Sequence, residues 1–458
     1  MEDVIFDLAR GIVQTRYEDI PAEAIATAKL FILDSIGVAL AGSTATGCAE
    51  VVKFIKEQGG KPDSSIFVFG GKAPAQEAAF ANAMMIHGRD FDDTHEGSVG
   101  GHCNVSVLPA ALALAEKNGA SGKEFITAVI VGIDLMARIG HGGRLFHGWH
   151  NTATLGAFGA AAGAGKILKL SEVQMVNALG IAFSQAAGNR QGRADGALTK
   201  RMGPAFSARA GVFSALLAER GLTGAKNILQ GPWGFFKLYG EKTGQPVDAE
   251  AKNRMLDQMG KKFEVVNLSA KPYPCCRLTH GAIEATLSLM KENGLKEKDV
   301  QKVMIQASPV IYDTVGHPFQ IRDNPQVDAQ FSIPYTVASA LLRGKVTLED
   351  FEVEAVKQPR SGELAKKVIV EENKGMGKYS TIVNIYDHSG KSFAKRVDVF
   401  KGHPQNPLSR EEFLQKFREC ARFSAVPLDS QRVEKILANL QKIEKIPNLN
   451  QVGQLLAW

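Results

Sequence analysis

The run Thr152-Ala153-Thr154-Leu155-Gly156-Ala157-Phe158-Gly159-Ala160-Ala161-Ala162-Gly163-Ala164 contains no charged side chain and only two large ones. Alanine is the best helix former, and glycine at this spacing thins one side of a helix so that a neighbouring backbone can approach. The run therefore predicts a buried helix at the centre of a bundle. A second small-residue stretch, Ala78 to Ala83, predicts its companion. Packing alone accounts for such helices, and their small side chains also leave room for a cavity.

Outward from this run, residues 1 to about 265 keep a helical pattern, with apolar residues three or four apart and Gly, Pro and Asn as punctuation. Pro21-Ala22-Glu23 opens one segment, in which Ile25, Ala28, Leu30, Phe31 and Ile36 are expected to cover one side of a helix. After about Lys271 the texture changes. Strand-like stretches at Val300 to Ser308, Lys367 to Val370, Ser380 to Asp387 and Ser392 to Val399 alternate with helical ones near His280 to Lys291 and Ser332 to Leu342. Asp387-His388-Ser389-Gly390 predicts a hairpin turn, and the layout is that of an α+β domain with an antiparallel sheet. From Ser409 onward the pattern is helical again. The fold class expected is mainly α with an α+β second domain: a helical domain over 1–268, an α+β domain over 269–402, and C-terminal helices over 403–458 that return to the first. A chain of 458 residues exceeds what one core usually supports, which agrees with two domains.

Composition narrows the function. The five cysteines (Cys48, Cys103, Cys275, Cys276, Cys420) form no CxxC pair, and the N-terminus does not read as a signal peptide, so a reducing cytoplasm is expected. The longest apolar stretches are broken by Lys, Asp, Gly or Ser, so no membrane span is expected. The net charge of +6 is spread among acids rather than gathered in blocks, which argues against a nucleic-acid surface.

The densest group of titratable residues is His87-Gly88-Arg89-Asp90-Phe91-Asp92-Asp93-Thr94-His95, followed by His102. Three aspartates and three histidines fall within sixteen residues, bounded by glycines at 88, 97, 100 and 101. Such a loop between helices is a candidate site, and a hydrated loop with an aspartate helix cap is the plain alternative. A metal centre is disfavoured: there is no HxxxH pair, the aspartates lack the calcium-loop glutamate, and adjacent Cys275 and Cys276 do not suit an iron–sulfur cluster. A second group, Arg144 to His150, runs directly into the small-residue helix and puts His150 near its N-terminus, where anions are favoured. Thr199-Lys200-Arg201 follows Gly188, Gly192 and Gly196. Lys271-Pro272-Tyr273-Pro274-Cys275-Cys276-Arg277 precedes a helix near His280, and its two prolines are expected to hold Lys271 in a fixed direction. Paired basic residues suit a multiply charged acid, because each buried carboxylate needs charge-assisted hydrogen bonds. A thiol nucleophile at Cys275 or Cys276 has no evident partnered base.

These strings resemble the MmgE/PrpD family. The resemblance rests on Asp90 to His95 with His102 and Val107 to Glu116, on Thr152 to Ala161 after His150, on Thr199-Lys200-Arg201, on Lys271 to Cys275 with His280, and on Phe331-Ser332-Ile333-Pro334-Tyr335, in family order across most of the chain. It implies a large all-helical domain with a smaller α/β lid, a homodimer, no cofactor, and a site between the domains that includes Asp90, Thr94, His102, His150, Lys200, Lys271 and Tyr335. One departure bears on the substrate: many members carry Pro and a small residue after the histidine, whereas Cys103 and Asn104 follow His102 here.

Family reactions include those of 2-methylcitrate dehydratase, cis-aconitate decarboxylase and iminodisuccinate epimerase. All must stabilise negative charge on carbon beside a carboxylate while a proton moves. The expectation is a cofactor-independent, 2-methylcitrate dehydratase-like hydro-lyase acting on a small di- or tricarboxylic acid, with an epimerase of the iminodisuccinate type, a cis-aconitate decarboxylase and a non-catalytic carboxylate-binding homologue as alternatives. His102 is expected to transfer the proton, Asp90 to orient it or tune its pKa, and Tyr335 to supply a second proton. Lys271, Lys200 and His150 are expected to bind carboxylates and stabilise the developing charge, Lys271 as part of the catalytic set, with Thr94, Arg201, Cys275 and His280 completing the substrate contacts.

Overall fold

The computed structural model describes residues 2–97, 101–143, 145, 148–240 and 249–458. The chain divides into two compact units. The first comprises Met1–Gly88, Asp92–Ala270 and Ser409–Trp458; the second comprises Arg89–Phe91 and Lys271–Leu408. The return to the first unit thus begins at Ser409 rather than at 403, and three residues of the titratable loop belong to the second unit.

In the first unit, helix α1 (Ala22–Gly42) departs from the one-sided pattern expected of it. From Phe31 to Gly42 every residue is buried, while Ile25 and Leu30 are only partly so. A helix apolar all round is a central helix, not an amphipathic one. It also corrects the expectation about membrane spans: by length and composition alone α1 is able to cross a membrane. Yet 72% of its apolar window is buried inside the protein. Its mid-helix acid, Asp34, meets Lys416 at 2.8 Å, from a helix of the C-terminal segment (Arg410–Arg422).

The small-residue stretches become helices α2 (Ala75–His87) and α5 (Asn151–Ile167); between them run α3 (Asn104–Asn118) and α4 (Gly122–His141), and after them α6 (Thr199–Glu219). Close approach is literal where α5 meets α6. A Cβ at Gly211 would lie 2.4 Å from the Ala160 Cβ and 2.6 Å from its carbonyl carbon. Gly211→Ala is therefore expected to lose about 1–3 kcal/mol through overpacking. A urea titration with an unchanged midpoint would show that the two helices move apart without cost. The unit is not wholly helical, since Thr94–His95 (β1) pairs antiparallel with Leu268–Ser269 (β2).

The second unit carries a four-stranded sheet of β3 (Val300–Ala307), β4 (Val368–Glu372), β5 (Thr381–Asp387) and β6 (Ser392–Val397) in the order β4-β3-β5-β6. The sheet is mixed rather than antiparallel, because β3 pairs with β4 in parallel. The chain between them, residues 308–367, is largely helical, and such a crossover is what parallel neighbours require. The expected hairpin forms between β5 and β6: Asp387 Oδ1 accepts from the amides of Ser389 and Lys391, and Gly390 adopts φ +85°. Val303, Ile305, Val383 and Ile385 pack with Ala282, Ala285 and Leu289 of α7 (His280–Asn293) and with Val337 and Leu341 of α8 (Ile333–Arg343).

Candidate active site

Helix α2 ends at His87, where Gly88 lets the chain pass within contact of Ala45 and the Gly42 carbonyl; a Cβ there would lie 2.9 Å and 3.0 Å from them. Asp90 then takes a left-handed conformation, φ +51°, which aspartate tolerates better than most residues. The turn brings Asp92 back to His87, whose Nδ1 lies 2.9 Å from Asp92 Oδ2 in a hydrogen bond. His102 Nδ1 lies 2.9 Å from the same oxygen, at ion-pair distance but outside hydrogen-bond angles. The two imidazoles meet edge to face at 4.8 Å. His87 and Asp92 are fully buried, and His102 is partly exposed.

Asp93 has a separate task. Its carboxylate accepts from the backbone amides of Cys103 at 3.0 Å and Asn104 at 3.2 Å, at the start of α3. The loop's far end is fixed by the His95 amide donating to the Gly101 carbonyl at 2.8 Å, and by the His102 amide donating to Thr152 Oγ1 of α5 at 3.1 Å. The N-cap of α3 is Cys103 rather than an aspartate of the loop, and Asp90 to His95 are buried rather than hydrated. Residues 98–100, including the expected loop glycine Gly100, lie outside the described residues.

His150 is the N-cap of α5, but its side chain makes no capping bond. Its ring lies 6.4 Å from that of His87, and a Cβ at Gly203 of α6 would come 3.5 Å from His150 Nδ1. Lys200, one turn earlier on α6, is half-buried, and its charge acts on both His87 and His150. Arg201 is buried beside it. Arg144, Phe146 and His147 of the second sequence group lie outside the described residues.

Burial pushes His87 down to about 4 and His150 well below the ordinary histidine value, so both are neutral near pH 7. Burial opposes a charge on Asp92, yet His102 and then His87 outweigh it and hold the carboxylate well below its usual range. Asp93 moves the other way, up to about 6, through burial and the neighbouring Asp92. The picture is an ionised Asp92 flanked by a neutral His87, which donates to it, and by His102. His87 Nε2, Asp92 Oδ1, Thr94 Oγ1 and both amide atoms of the Asn104 side chain are buried without a hydrogen-bond partner among the described residues. Groups so arranged are suited to a polar ligand, because an unmet buried polar atom is costly. Of these, sequence reasoning assigned a role to Thr94 and passed over His87, Asp92 and Asn104.

The second unit holds the other expected residues. Lys271 Nζ donates to Asp90 Oδ2 at 2.9 Å and to the Asp90 carbonyl at 2.8 Å, with both side chains buried. Gln330, unremarked in the sequence, donates to the Arg89 carbonyl at 2.7 Å and the Pro274 carbonyl at 3.1 Å, so it ties the 89–91 segment to the irregular Lys271–Cys276 segment. Asp92 is the carboxylate at ion-pair distance from His102, and the Asp90 carboxylate, expected to orient His102 or tune its pKa, accepts from Lys271.

Three further expectations change. Tyr335 is fully buried, its ring packs on Phe319 and Phe351, and its hydroxyl donates to the Asp350 carbonyl, so it is committed to the core rather than free to deliver a proton. Tyr335→Phe should keep kcat within about threefold and lower stability by about 1 kcal/mol, the worth of one hydrogen bond. Steady-state kinetics paired with a thermal melt checks this, and a hundredfold loss of kcat would restore Tyr335 to the chemistry. Cys275 is buried with its Sγ 3.1 Å from Thr279 Oγ1, and burial pushes its thiol far up, so it offers neither thiolate nor surface to a substrate. His280 is buried edge-on between Tyr273 and Phe400, its Nε2 is 3.3 Å from the Cys275 carbonyl, and burial holds it down to about 3. It is a neutral core residue.

Comparison with known proteins places these two units. The MmgE/PrpD N-terminal domain matches residues 7–248, and the MmgE/PrpD C-terminal domain matches residues 273–442. The chain belongs to the MmgE/PrpD family. Among its relatives, the cis-aconitate decarboxylase of Mus musculus is 28% identical over 452 residues, covering 94% of this chain and 89% of the relative. That of Aspergillus terreus is 27% identical, over 96% and 93% of the two chains. The 2-methylcitrate dehydratase of Escherichia coli (strain K12) is 24% identical over 77% of this chain and 74% of its own. The loop from His87 to His102 lies within the matched N-terminal domain of this MmgE/PrpD protein, and the Lys271–Cys276 segment runs across the start of its C-terminal one.

Proposed function

We propose that this MmgE/PrpD protein is a lyase that decarboxylates a small unsaturated tricarboxylic acid of the cis-aconitate type, using its own acid–base groups. The observation that carries the reading is the buried Asp92 oxygen shared by His87 and His102. The greater identity and fuller coverage of the decarboxylase relatives support decarboxylation over the hydro-lyase reading that the sequence alone favoured.

In such a substrate the carbon–carbon bond to an allylic carboxylate breaks, and carbon dioxide leaves. The electron pair forms a new double bond, and the old double-bond pair moves to the carbon beside a second carboxylate. That carbon takes one proton, from His102 in this proposal, and the product is a methylene diacid. Asp92 stabilises the protonated imidazole and fixes its ring, and His87 holds Asp92 from the other side. Lys200, with neutral His150 at the N-terminus of α5, receives substrate carboxylates. Dehydration of a 2-methylcitrate-like hydroxy acid is the second reading, favoured by the dehydratase relatives, and it would use the same proton-transfer group. We also place the protein in a reducing compartment, as a homodimer that covers the exposed Phe206 and Phe213 of α6. Sedimentation velocity on wild type and Phe213→Asp tests the dimer, and a monomeric wild type would remove it.

Proton NMR of the purified protein in heavy water tests the reaction with cis-aconitate, 2-methylcitrate and citrate. Methylene signals of itaconate from cis-aconitate support decarboxylation. New vinyl signals from a hydroxy acid would replace it with dehydration, and deuterium wash-in without a new product would replace it with epimerisation.

A further inference from the structure

Helix α5 carries His150 at one end and Lys166 at the other, about 24 Å apart at 1.5 Å per residue. Around Lys166 the first unit forms a cavity of about 500 Å³, whose lining includes Val13, Tyr17, Lys123, Lys166, Leu170 and Met175. This size falls among small-molecule sites. Four cations reach the cavity, and three are already matched: Arg16 by Asp19 at 2.9 Å, Lys123 by Glu18 at 3.2 Å, and Lys169 by Glu124 at 2.9 Å. Lys166 differs. Its Nζ donates to the Val13 carbonyl at 2.7 Å, and among the described residues no carboxylate lies within ion-pair distance of it.

An ammonium has three donors, and here the Val13 carbonyl takes one. Partial burial lowers the Lys166 pKa to about 8, and Asp19, beyond ion-pair distance, offsets that only in part. A single anionic group would restore that balance through a charge-assisted hydrogen bond. Val13, Leu170, Met175 and the Tyr17 ring provide apolar wall, which suits a hydrocarbon body. A tricarboxylate is a poor fit, because its further charges would have to displace Asp19, Glu18 or Glu124 from their partners.

We propose that this cavity is a second binding site, for an organic monocarboxylate with an apolar body, whose carboxylate pairs with the Lys166 ammonium. The site is distinct from the proposed lyase centre and does not depend on that assignment. Calorimetric titration of the intact protein with octanoate as the probe tests it. One octanoate should bind per chain, Lys166→Met should weaken it by about tenfold or more, and Val13→Trp, which fills the cavity from a half-buried position, should abolish it. Excess citrate should not displace it. No saturable binding at millimolar octanoate, or equal affinity in wild type and both variants, would overturn the site. Loss in Val13→Trp with full affinity in Lys166→Met would overturn the role of the cation, and displacement by citrate would overturn the monocarboxylate class.

Discussion

Asp92→Asn is expected to lower kcat by about a thousandfold, with KM changed far less. The reasoning starts from the shared oxygen: Asp92 Oδ2 stands 2.9 Å from both His87 Nδ1 and His102 Nδ1. An amide cannot carry the negative charge that stabilises a protonated His102, and an NH2 turned toward either ring would demand the opposite tautomer from it. Loss of the equivalent carboxylate in other histidine-based sites costs up to about ten-thousandfold in rate while leaving geometry intact. Folding should hardly suffer, because the substitution is isosteric and removes a charge whose burial is itself costly. Asp92 acts through His102 rather than on the substrate, so it is a positioning residue. The discriminating measurement is steady-state kinetics beside a thermal melt. A tenfold or smaller loss of kcat at unchanged Tm would remove the Asp92–His102 unit from the mechanism, and a parallel rise in KM would make it part of binding instead.

The sequence made much of this fold legible because its strongest signals are local. Small residues from Thr152 to Ala164 announced a close-packed helix, and Gly211 against Ala160 shows the approach they allow. The alternation in Ser380 to Asp387 announced a strand with one face inward, and Thr381, Val383 and Ile385 are its buried positions. Pairing partners are not local. The parallel match of Val300–Ala307 with Val368–Glu372 depends on a helical crossover of some sixty residues, so an antiparallel sheet was the wrong inference from correct strands. Helix α1 misled differently: Lys29 and Asp34 broke its apolar run on paper, but Lys29 lies at 2.6 Å from Glu444 and Asp34 at 2.8 Å from Lys416, both from the distant C-terminal segment.

The candidate site shows the same division. Its composition was visible in the sixteen residues from His87 to His102, but the distribution of tasks among Asp90, Asp92 and Asp93 was not. That distribution follows from the left-handed turn at Asp90, which no periodicity announces. The phenol of Tyr335 suits proton delivery by its chemistry, yet Ser332 caps α8 and the ring faces inward against Phe319 and Phe351. Identity of side chain names what a residue is able to do, and only its hydrogen-bond partners decide whether it is available.

Lys271→Met is expected to destabilise the second unit by about 3–5 kcal/mol, because it strands a buried carboxylate. The Lys271 and Asp90 side chains are 2% and 4% exposed and lie 2.9 Å apart, and the same ammonium also holds the Asp90 carbonyl at 2.8 Å. Removing the lysine therefore takes from Asp90 both its counter-charge and a bond that fixes its left-handed turn. Asp90→Asn alone strands the lysine in turn, although asparagine accepts the left-handed backbone as readily as aspartate does. The double variant Lys271→Met with Asp90→Asn should recover most of the loss, since neither buried charge then lacks its partner. Urea unfolding of the four proteins measures the coupling, and additive losses would show that the two residues do not act as a pair. Turnover of the double variant then separates two roles that stability alone leaves joined. Asp90 sits three residues after His87 and two before Asp92, so a pair that only sets the turn should return activity along with the fold. A double variant that folds at near wild-type stability yet turns over a hundredfold more slowly would instead make the Lys271 ammonium itself part of the chemistry.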